Sequence, residues 1–140
     1  MMKKLTNISF AYAIAALVGG VIYREFTKIV GFTDQTNLSL LHTHLFTLGM
    51  MFFLIVLVLE AVFALGKQRL FKGFLLTYNI GLILSVIMMA VRGFFQIQGT
   101  DLSKALDASI AGLSGIGHVL LAIGMVLFFL ALKRSVAEKE

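Results

Sequence analysis

The sequence predicts an all-α membrane protein, a bundle of four transmembrane helices with both termini on the inner side. Composition gives the first reason. Of the 140 residues 59% are hydrophobic and only 14% charged, with a mean hydropathy of +0.97. Soluble chains run nearer 45–50% apolar and about 25% charged, so a bilayer must solvate the excess. The second reason is punctuation: four long apolar runs are separated by short polar segments, and no proline interrupts them. The third is charge. The net charge of +5 is concentrated at the ends of apolar runs, which fits the positive-inside rule rather than a nucleic-acid partner. The absence of cysteine excludes disulfides, thiolate metal sites and iron–sulfur clusters.

The four runs are 5–23, 45–65, 74–91 and 113–132, and their only ionisable members are Glu60 and His118. Each approaches the roughly 20 residues that cross about 30 Å of hydrocarbon at 1.5 Å per residue. With their flanks they predict helices over 5–28, 41–65, 71–96 and 113–133, in one domain covering 1–140. The first run lacks a small-residue cleavage site and reads as a retained helix, not a signal peptide. Lys3 and Lys4, then Lys67, Arg69 and Lys72, then Lys133, Arg134 and Lys139 are eight of the twelve basic residues. An N-in, C-in topology gathers all eight on one side, and a multi-pass protein of a bacterial cytoplasmic membrane is expected. The alternation of polar and apolar residues over 101–111 predicts a short helix lying on the outer surface. Glu60 reads as an interfacial partner of Lys67 or Lys72.

The remaining polar residues share one depth. Arg24 and Glu25 end the first helix, His42 and His44 open the second, and Arg92 and Gln96 close the third. His118 lies about one and a half turns inside the fourth. Ionisable groups inside a membrane are costly and mark candidate functional sites. Against this, residues near a helix end often face headgroups or snorkel. His118 is too deep and too short for that.

Three neutral imidazoles suit haem iron, copper or zinc. His42 and His44 are two residues apart, so on a regular helix they leave faces about 200° apart. They cannot both grip one small ion there, which favours haem over a compact metal cage. Gly112, Gly115, Gly117 and Gly124 strip side chains from around His118, admitting a flat macrocycle or close helix packing. Arg24 and Arg92 stand at the depth where haem propionates need counter-charges. A four-helix bundle accepts only one of the paired histidines internally. The other calls for a neighbouring subunit, hence a homo-oligomer.

Tyr23-Arg24-Glu25-Phe26-Thr27-Lys28, Leu41-His42-Thr43-His44-Leu45 and Ser114-Gly115-Ile116-Gly117-His118 resemble an uncharacterised family of small bacterial four-helix membrane proteins over nearly the whole chain. That family implies no activity. Leu41-His42-Thr43 is also similar to the Leu-His-Thr of the second helix in subunit one of cbb-type haem–copper oxidases and nitric oxide reductases. There the histidine ligates the low-spin haem. His42-Thr43-His44 resembles the His-x-His of the tenth helix, whose histidines face two haems. Those subunits have twelve helices in pseudo-threefold array, so the likeness implies a homotrimer, with a dimer second. The copper site's adjacent histidines and cross-linked tyrosine have no counterpart here, and the resemblance does not imply oxygen reduction.

The expectation is a haem b protein for electron transfer or for sensing gas or haem. His42, His44 and His118 are its candidate axial ligands, and Arg24 and Arg92 its propionate partners. The alternatives are copper or zinc held by the same histidines for binding or transport, and a non-catalytic scaffold subunit. No general base, nucleophile or phosphate loop supports an enzyme, and any activity would be of oxidoreductase type.

Overall fold

Four helices make up the chain in the computed structural model, which describes residues 1–139: α1 (Met2–Val30), α2 (Leu38–Phe63), α3 (Arg69–Gln98) and α4 (Lys104–Ala137). All four are long and apolar enough to cross a membrane. The connections are short, so neighbours run antiparallel. Left-handed glycines end two of the helices, Gly31 at φ 68° after α1 and Gly99 at φ 61° after α3, where a side chain would be strained. α2 ends instead on Ala64, at φ 52°.

Both termini meet the α2–α3 turn at one end of the bundle, here called the terminal end. Met1 lies against Gly66. Lys139 Nζ donates to Val62 O at 3.0 Å, and Gln68 Nε2 donates to the Glu138 carboxylate at 2.9 Å. Glu60 is engaged within this turn. Its Oε2 accepts from the Gly66 N–H at 2.6 Å, so its partner is backbone and not the expected Lys67 or Lys72. The reason is local: a chain that reverses after Ala64 turns its amides back toward the last turn of α2.

α1, α3 and α4 outrun their apolar spans at both ends, whereas α2 starts earlier, at Leu38, and stops at Phe63, two residues short of its span. The largest difference is in α4, which starts at Lys104 rather than near 113. No separate surface helix exists at 101–111; residues 104–111 are the first turns of α4. Ser103 explains the start, because its side chain accepts from Leu106 N and caps the helix. The alternation that suggested a surface helix belongs to a helix projecting beyond the hydrocarbon.

The core is aromatic in the terminal half. Phe52, Phe53, Phe74, Tyr78 and Phe128 join α2, α3 and α4, with ring centroids 4.8 Å apart for Phe52–Tyr78 and 5.1 Å for Phe74–Phe128. The α3–α4 interface is the most extensive, whereas α1 packs chiefly on α2. α2 meets α4 through its last segment, Phe52–Phe63, so the two helices diverge toward the loop end. Between its α-helical segments α2 carries a π-helical stretch, Leu45–Met51. Two carbonyls of that stretch accept from other helices: Leu48 O from Tyr78 Oη and Met50 O from Ser9 Oγ, both at 3.0 Å. In hydrocarbon no water could take their place. Tyr12 covers the same stretch at Gly49, where an added Cβ would stand 2.6 Å from its ring.

Candidate functional site

His42 and His44 lie in the regular segment Leu38–His44, before the π stretch begins, and so point to different sides of α2. His42 turns toward α1: a Cβ added to Gly20 would lie 3.8 Å from its Cβ and Cγ. The ring is half-buried, and its Nδ1 is enclosed without a hydrogen-bond partner.

His44 is arranged the other way. Its Nδ1 lies 2.9 Å from Leu40 O, and His118 repeats the pattern, Nδ1 to Ser114 O at 2.8 Å. A carbonyl can only accept, so Nδ1 bears the hydrogen in both rings. In the neutral form of either ring Nε2 then has a lone pair to offer. This is the tautomer and tether typical of ligating histidines, in which one ring nitrogen is fixed by a backbone carbonyl and the other faces the metal. His44 is half-buried and His118 exposed on the outside of the bundle.

Helix register relates the two rings. Asn37 and His44 are seven residues apart and share a face of α2, while Ser114 and His118 are one turn apart on α4. Asn37 and Ser114 stand together on the wall of one cavity of about 210 Å³, floored by Met88, Met89 and Arg92 of α3. By helix register His44 and His118 follow Asn37 and Ser114 on those two helices toward the terminal end, outside the lining of the cavity itself. Their levels also agree. The Leu38 backbone abuts Gly93, and Gly117 abuts Ser85. Counting about 1.5 Å per residue puts His44 about 9 Å and His118 about 13 Å below Gly93.

The arginines divide in the same way. Arg92 lines the α2–α4 cavity, and its Nη2 donates to Asp107 Oδ1 at 2.6 Å and to Asp107 O at 3.3 Å. Arg24 is on α1, beyond α2, with an 80% exposed side chain and only a 3.8 Å approach to Glu25. Of the five candidates only Arg92 lines the cavity; His44 and His118 lie by register below it on α2 and α4, and His42 and Arg24 stand apart on the α1 side. The glycines of α4 divide too. Gly117 and Gly124 are packing residues pressed on Ser85 and Tyr78, whereas nothing lies within 4 Å of a Cβ at Gly112 or Gly115. The latter pair leaves a bare surface beside His118.

Among the described residues no three His, Cys, Asp or Glu side chains converge on a point that could hold a metal ion. Asp107 is the residue that sequence reasoning missed; with 101–111 read as a surface helix, nothing aimed it at Arg92.

A family model described as a protein of unknown function, DUF2871, matches residues 2–135. The chain belongs to the DUF2871 family. The match covers the first three helices of this DUF2871 protein and all but the last two residues of α4, including the three motifs that carried the likeness to small four-helix membrane proteins. No curated protein and no solved structure matches it, so the likeness to haem–copper oxidases rests on the short histidine motifs alone.

Proposed function

We propose that this DUF2871 protein is a haem b-binding membrane protein for electron transfer or for sensing a gas or haem, with His44 and His118 as the axial pair. One observation carries the reading. These two histidines, at similar depth on opposite walls of one groove, both have Nδ1–H committed to a backbone carbonyl and Nε2 free. The fit to haem is favourable on two further counts. Two ligands suffice for a haem, where a small-ion cage would need more. The surface beside His118 is stripped by Gly115, and Arg92, which has five donors, retains N–H groups beyond those given to Asp107.

Bound haem would supply one-electron redox chemistry or a site for a diatomic ligand. The chain's own part is to hold two imidazoles in one tautomer, offer a cation at the loop end and keep water from the groove with Met88 and Met89. The oxidase-like motif would instead assign the ligand role to His42. Its enclosed Nδ1 and its position against Gly20 favour His44. The eight basic residues of the terminal end support an N-in, C-in orientation in a bacterial cytoplasmic membrane.

Absorption spectra of the purified protein, oxidised and dithionite-reduced, test the reading. A Soret band at one haem per chain is expected, lost or converted to a five-coordinate form in His44→Ala and His118→Ala and retained in His42→Ala. A colourless protein overturns it: stoichiometric copper or zinc would then favour the metal alternative, and no metal the scaffold. A haem lost only in His42→Ala would transfer the site to the α1 side.

A further inference from the structure

On the side of the bundle away from the histidine groove, α1 and α3 touch only where Tyr12 Oη donates to Asn79 Oδ1 at 2.7 Å and where Phe26 stacks on Phe94 toward the loop end, and they leave a long furrow between them. Two adjoining cavities of about 500 and 400 Å³ make it up, sharing Ile8, Asn79 and Ile83. Its mouth at the terminal end carries Lys4, Lys72 and Met1. Its upper part is apolar, with Ala11 and Ala15 on one wall, Val86 and Ile87 on the other, and Leu45 of α2 at the base. We propose that this furrow holds one anionic phospholipid of the terminal-end leaflet, its phosphate between Lys4 and Lys72 and one acyl chain along the furrow.

Charge and length both point to that occupant. Lys4 and Lys72 are exposed and make no ion pair among the described residues, where the only salt bridges are Arg24–Glu25 and Arg92–Asp107. Glu60, which like Met1 lies against Gly66, is committed to the Gly66 N–H. An uncompensated pair of ammonium groups at the foot of an apolar slot complements an anion with a tail. From Lys4 to Ala15 the wall rises about 16 Å, and from Lys72 to Val86 about 21 Å. One leaflet of the hydrocarbon core is about 15 Å deep, so the furrow spans a single leaflet and stops. Its small alanines and exposed Ile80 and Ile83 (48% and 50%) leave it open sideways, the direction from which a lipid enters.

Native mass spectrometry tests this with dioleoyl phosphatidylglycerol and dioleoyl phosphatidylcholine offered at equal concentration to the full chain in mild detergent. One phosphatidylglycerol per chain should be retained in preference to phosphatidylcholine. Lys4→Gln and Lys72→Gln should each weaken retention about five-fold, while Lys133→Gln, at the same end but outside the furrow, should not. Ala15→Phe should block the furrow and abolish retention with the lysines intact. Far-ultraviolet dichroism of each variant shows that the fold persists. Equal retention of both lipids, or no effect of Lys4→Gln, Lys72→Gln and Ala15→Phe, overturns the proposal. So does an Ile83→Cys variant that forms a disulfide-linked dimer with no lipid bound, since a second copy would then fill the furrow.

Discussion

Gly81 and Gly117 bring the backbones of α3 and α4 into direct contact: a Cβ on Gly81 would lie 2.7 Å from both Gly117 O and Leu121 N. Without a hydrophobic drive between helices in lipid, such close approach supplies the van der Waals gain that holds them together. Gly81→Ala must push backbone rather than a flexible side chain, and should destabilise the bundle by about 1–3 kcal/mol in detergent unfolding. Gly115→Ala meets open space and should be neutral or stabilising, by up to about 1 kcal/mol from helix propensity. Equal effects of the two would deny that these glycines have different roles.

The π stretch sets the relation between His44 and Phe52. Phe52 packs between α3 and α4, against Tyr78 and Phe128, and His44 shares by register the face of α2 on which Asn37 lines the α2–α4 cavity. Deleting Thr47 removes the extra residue that the π winding accommodates, so the stretch should revert to α-helix with His44 and Phe52 kept nearly in their present relation. The expected result is a cofactor spectrum retained with membrane insertion intact, and its loss would mean that the π winding itself shapes the site. A milder change, Tyr78→Phe, strands Leu48 O and should cost about 1 kcal/mol of stability while sparing the spectrum.

Much of this fold was legible because one force writes it plainly. Apolar runs of bilayer length could only be helices, and His42 and His44 had to diverge if their segment was regular, as Leu38–His44 is. What stayed hidden depended on pairs of positions far apart in the chain. The π winding of Leu45–Met51 leaves no mark in composition, since its carbonyl partners Ser9 and Tyr78 lie on other helices. The glycines around His118 looked alike until neighbours separated Gly117 from Gly115. Arg92 and Asp107 lie 15 residues apart across a turn, and the start of α4 had to be known before they could be joined.

Orientation can be checked in the native chain, because it contains no cysteine and each introduced thiol is unique. Thr100→Cys, in the exposed α3–α4 connection, should react with an impermeant maleimide on intact cells. Lys67→Cys, in the exposed α2–α3 turn, should react only after lysis. The reverse pattern would invert the topology and put the histidine groove toward the cytoplasm.

Assembly is the remaining expectation, and the groove changes what it predicts. The sequence called for a neighbour because one of His42 and His44 was to lie outside the bundle. Instead His42 packs on α1 of its own chain, and register places His44 below Asn37 and His118 below Ser114, the two residues that face each other across the α2–α4 cavity of one chain. A single chain can therefore complete the proposed axial pair. Association is still favoured, because His118 is exposed at membrane depth and a neighbour would cover its side of the groove. Native mass spectrometry in mild detergent should give a trimer, or a dimer as second choice, carrying one haem per chain. Collisional ejection of a subunit then decides where each site is built. A monomer leaving with its haem is expected from ligands of one chain. Bare monomers, with all haem kept by the residual complex, would mean that the ligands come from two chains and that the oxidase-like arrangement around His42 is the better account.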